Sequence, residues 1–73
     1  MNYQYTLDYR QIEIVLPKTD EGHYRIIWEN RAVGYVYVSD VDAGTGKPIW
    51  NGSNNYLNLS APEIGLYIEA CGM

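Results

Sequence analysis

Soft metal ligands and thiols are nearly absent from this chain: Cys71 is its one cysteine and His23 its one histidine. A lone cysteine excludes an intrachain disulfide, and this pair falls short of the four N/S ligands that close a structural zinc site. Cations are also scarce. Five Lys/Arg stand against nine Asp/Glu, giving a net charge of −4 and no basic stripe. Nucleic acid is therefore not an expected partner. No run approaches the ~18 apolar residues of a membrane span. Met1 leads straight into Asn2-Tyr3-Gln4-Tyr5, without the basic and apolar regions of a signal peptide. We expect no membrane association, and a single cysteine without an export signal points to the cytoplasm.

In place of these features the chain has apolar and aromatic bulk: 47% hydrophobic residues, with eight Tyr and two Trp among 73. A single domain over 1–73 is expected. A domain this small buries only ~60% of the surface its unfolded chain exposes. Lacking a disulfide or metal, it needs good packing or a second subunit, and we expect a homo-oligomer.

Residues 2–9 alternate, with Tyr3, Tyr5, Leu7 and Tyr9 on one side and Asn2, Gln4, Thr6 and Asp8 on the other. This is the pattern of a half-buried strand. From Ile12 the apolar phase moves to even numbers, through Ile14 and Leu16. A two-residue turn at Tyr9-Arg10 explains the change and sets Leu7 opposite Ile12; a bulge in one long strand is the alternative. Pro17 to Gly22 reads as a loop that sets Leu16 opposite Ile26. A turn at Asn30-Arg31 sets Trp28 opposite Val33 and Tyr24 opposite Tyr37. Asp42-Ala43-Gly44 sets Tyr37 opposite Ile49, and Pro48 places the last strand at an edge.

Ser60-Ala61-Pro62-Glu63 reads as a helix start with a capping box, Leu59 and Ile64 as a hydrophobic staple, and Gly72 as the stop. Ile64, Tyr67, Ile68 and Cys71 share the inward stripe, whereas Leu66 and Ala70 point away. The expected fold is therefore α+β: an antiparallel β-meander of four to five strands with one C-terminal α-helix packed on one face. Strands are placed at about 2–9, 11–17, 23–29, 32–39 and 47–51, and the helix at about 61–71.

These registers put Tyr35, Tyr37 and Ile49 under the helix and send Val15, Ile27, Val36, Val38 and Trp50 to the reverse of the sheet. Their neighbours there are Glu13, His23, Arg25 and Gly34. A solvated sheet face should read polar, so those five residues are the candidate partner-binding surface. Burying ~400 Å² of such a patch yields roughly 10 kcal/mol before the costs of association. The competing expectation is that strand 47–51 or the loop 52–58 folds back over the patch, with Trp50 as its lid.

No catalytic group, metal site or cofactor is expected. His23 reads as a solvated strand-end residue with no nucleophile beside it. Cys71 sits near a helix C-terminus, which disfavours thiolate. Asp40-Val41-Asp42-Ala43-Gly44 lacks the glycine and closing Glu of a calcium loop, and Gly44-Thr45-Gly46-Lys47 is followed by Pro48 rather than the Ser/Thr of a phosphate loop. Asp20 and Glu21 share a sheet end with Asp40 and Asp42, while Arg10 and Arg31 share the other. The chain thus reads as a small acidic non-enzymatic protein that self-associates or binds a protein partner through an apolar sheet face. The alternatives are a small-ligand module with an aromatic pocket and an acidic inhibitor or decoy of a mobile genetic element.

Overall fold

The computed structural model describes residues 2–17 and 22–72. Its elements run β1 (Asn2–Leu7), β2 (Arg10–Val15), β3 (Tyr24–Trp28), β4 (Arg31–Val41), β5 (Pro48–Gly52) and α1 (Asn55–Cys71). The strands form one antiparallel sheet in the order β1-β2-β3-β4-β5, so the fold is the expected α+β meander with one helix. The loop expected at 17–22 and the acidic pair Asp20 and Glu21 fall largely or wholly outside the described residues.

The first two strands form a hairpin rather than one bent strand. Its turn is Asp8-Tyr9, one residue earlier than expected, with φ of 49° and 65°. Both residues are left-handed, the geometry of a turn whose twist matches that of the strands. Tyr5 therefore faces Ile12 rather than Ile14. The next pair is offset likewise, with Ile14 opposite Ile26. Each offset moves the pairing by an even number of residues, so the apolar face survives. Leu7, Ile12, Ile14 and Ile26 are all buried beneath the helix.

The parity breaks in β4. A second left-handed pair, Glu29-Asn30, makes the β3–β4 turn, with Trp28 facing Arg31 and Ile27 facing Ala32. The register then shifts, so that Ile26 faces Gly34 and Tyr24 faces Val36. Val33 is the additional residue of this bulge, and a bulge reverses which side chains face the core beyond it. Tyr35 and Tyr37 consequently leave the core face, where the expected register held them, and Val36 enters it fully buried. Gly34 permits the bulge: its φ is +147°, and a Cβ there would lie 2.6 Å from Leu57 Cδ1.

The helix begins almost two turns before Ser60, because Asn54 rather than Ser60 is its cap. Asn54 Oδ1 accepts from Leu57 N at 2.9 Å, and Pro62 lies inside the helix. Gly72 ends it as expected, at φ 71° with its N–H on Glu69 O. The inward stripe is Leu57, Ala61, Ile64, Gly65 and Ile68; Tyr67 is half-buried, and Cys71 is exposed rather than inward. Asn54 also donates through Nδ2 to Val33 O at 2.8 Å. One side chain thus caps the helix and satisfies a carbonyl at the bulge.

At the other edge of the sheet, Tyr5 donates to Glu63 Oε2 at 2.6 Å, and Tyr67 donates to Gln4 O at 2.8 Å. The Tyr5 and Tyr67 rings meet at 4.6 Å between centroids. The bond to Glu63 raises the Tyr5 pKa above 10.0, with desolvation and the Glu63 charge acting in the same direction.

Replacing Asn54 by Ala should lower stability by about 2–3 kcal/mol in denaturant unfolding, through loss of both the cap and the amide donor to Val33. Asn54→Asp keeps the cap, with a favourable charge at the helix N-terminus, and removes the amide donor to Val33, so it should lose less stability than Asn54→Ala. A second outcome concerns pH. Because Tyr5 is harder to ionise when folded, its contribution is complete below the unfolded pKa near 10 and is lost as pH rises through the folded one. Tyr5→Phe should weaken the protein at neutral pH and reduce its alkaline loss of stability, read from thermal melts across that window.

Candidate functional site

The five residues expected on the reverse face do not form one surface. Val36 and Trp50 face the helix, at 0% and 8% exposure, because the β4 bulge reverses parity and β5 follows β4 through the pairs Val36–Gly52 and Val38–Trp50. Val38 shares their side at the sheet margin and is exposed. Val15 and Ile27 are half-buried on the outer face, as expected. Trp50 is thus not a lid on the reverse side. Its ring lies on Gly65, where a Cβ would overlap it, and its Nε1 donates to Glu69 Oε2 at 2.9 Å. Gly65 and Glu69 are one helical turn apart, so the indole runs along the helix.

The residues that replace Val36, Val38 and Trp50 on the outer face are Tyr35, Tyr37 and Ile49. Tyr35 and Ile49 are exposed and Tyr37 is half-buried. His23 stacks on Tyr35 at 4.4 Å between ring centroids, and the edge contact to Tyr37 is 5.7 Å. Arg25 sits among them, with Val15 and Tyr35 as its cross-strand neighbours. Glu13 faces Ile27 on the next row and accepts from Asn2 Nδ2 at 3.0 Å. Tyr, Arg and aliphatic residues around a small polar complement match the composition of the centre of a protein interface. Gly34 was the available signal, since a lone glycine inside a strand suggests a bulge.

A second feature lies where β4 runs past the start of β3. Beyond Val36 the strand pairs only with β5, leaving a cleft of about 370 Å³ between the sheet end and the last turns of the helix. Tyr24, Tyr37 and Trp50 supply its aromatic wall, with His23 and Glu69 at its margin. Tyr24 and Trp50 meet edge to face at 5.5 Å.

Among the described residues no group of three or more His, Cys, Asp or Glu is placed to hold a metal ion. The Asp42 turn is built by its own carboxylate, which accepts from Gly44 N at 2.7 Å and Thr45 N at 3.3 Å. No helix among these residues is long and apolar enough to cross a membrane. The chain matches no protein-family model, no curated protein and no solved structure.

Gly65 provides the test of the Trp50 placement. At an exposed helical position, replacing Gly by Ala gains up to about 1 kcal/mol. Here the methyl would enter the indole ring, so Gly65→Ala should instead cost about 1–3 kcal/mol. Chemical denaturation followed by Trp fluorescence reads the sign directly.

Proposed function

We propose that this protein is a small non-enzymatic interaction module that pairs with a second copy of itself through the outer sheet face centred on Arg25. The observation that supports this reading is the charge balance of that face. The chain carries a net −4, yet the face formed by Val15, Ile27, Tyr35, Tyr37 and Ile49 sets Arg25 against only two carboxylates, Glu13 and, opposite Ile49 at the far end, Asp40. Two copies can approach there while opposing little of their excess negative charge, and a two-fold arrangement lets Arg25 of each meet Glu13 of the other. The added burial also offsets the small core of a short chain without disulfides. The surface differs from the one expected from sequence, while the kind of function is the same. The cytoplasm suits it, since Cys71 is an exposed free thiol of a kind that persists in a reducing compartment.

Sedimentation velocity tests the reading. The wild-type chain should sediment as a dimer, and both Arg25→Glu and Glu13→Arg should weaken association at least about tenfold. The double variant Glu13→Arg/Arg25→Glu should restore the dimer. A wild-type monomer at all concentrations, or a dimer indifferent to both single changes, overturns it.

A further inference from the structure

The cleft between the end of the sheet and the last turns of α1 has a chemical character distinct from the outer face, and we infer that it is a binding site for a small organic cation, an ammonium group carrying a hydrocarbon body. Its volume of about 370 Å³ lies within the range of small-molecule sites. Its described lining is aromatic and apolar, with Glu69 as its carboxylate and His23 at the margin. Tyr24, Tyr37 and Trp50 line it, and aromatic rings attract cations through their quadrupoles. The Glu69 carboxylate borders it, held in place by the Trp50 indole N–H at 2.9 Å. The helix ends two residues later, at Cys71, with no basic residue in its last turn, so the negative end of its dipole is not offset locally. Among the described residues no Lys or Arg lines the cleft, and the chain's net −4 favours the approach of cations. Val38 and Ile68 complete the wall with apolar surface, which suits alkyl groups better than a hydrated metal ion.

The cleft shares Tyr37 with the outer face, but its decisive group, Glu69, lies on the helix side of the sheet, so Glu69→Gln reads the site separately from self-association. Titration with choline, followed by ¹H–¹⁵N NMR of the Trp50 indole and the backbone amides of Tyr37 and Glu69, tests it. Choline should shift these signals saturably. Its uncharged carbon isostere, in which a tert-butyl group replaces the trimethylammonium, should shift them weakly or not at all. Glu69→Gln retains an acceptor for the indole N–H and should weaken choline binding by about tenfold while the fold persists. Tyr37→Leu, outside the buried core, should weaken it similarly. Equal binding of the isostere, no saturable shift with choline, or undiminished binding by Glu69→Gln overturns the proposal.

Discussion

Asn54 joins the start of the helix to the bulge between β3 and β4. Through one amide it caps the helix and binds the carbonyl of Val33 at the β4 bulge. The bulge decides which residues of β4 and β5 look inward, and the helix supplies what they look at. Neither arrangement is useful alone. Without the register shift Tyr35 and Tyr37 would lie beneath the helix, and Trp50 would have no path to Gly65. The close approach of Gly34 to Leu57 serves the same junction. Coupling of this kind makes local errors expensive, since a slip of one residue would transpose every side chain downstream.

The helix carries only two charged residues, Glu63 and Glu69, and each accepts from an aromatic side chain on an opposite edge of the sheet. Tyr5 on β1 donates to Glu63 and Trp50 on β5 donates to Glu69. The sheet is therefore fastened to one helix at both margins. Each contact combines ring burial with a charge-assisted hydrogen bond, a stronger pairing than two neutral groups provide. This arrangement suits a short chain with a single cysteine, in which a few well-made polar contacts must keep a modest core in a single packing.

Much of the fold is legible in the residues themselves. Alternation in 2–9 and the even-numbered Ile12 and Ile14 mark strands, and turns misplaced by one residue leave the faces intact because the offsets are even. The bulge is harder to see. From Val33 to Val38 nearly every residue is apolar, so either parity satisfies a hydrophobic pattern, and only Gly34 hints at the irregularity. The candidate surface divides at that point: Val15 and Ile27 precede the bulge and lie outside as expected, while Val36, Val38 and Trp50 follow it on the helix side, Val36 and Trp50 buried and Val38 exposed at the margin. The early helix start was hidden for a different reason. Asn54, Asn55 and Asn58 resemble loop composition, and Pro62 resembles a first-turn proline although it sits inside the helix.

The meander places every strand beside its predecessor in the chain, so the hairpins can form as they emerge during synthesis. The helix is built last of these elements, and it alone covers Ile14, Ile26 and Val36. At ordinary translation speeds its 17 residues take roughly one to three seconds to make. Until the helix docks, the nascent sheet displays an oily side with no mate, and a chaperone or a neighbouring polypeptide can compete with α1 for it.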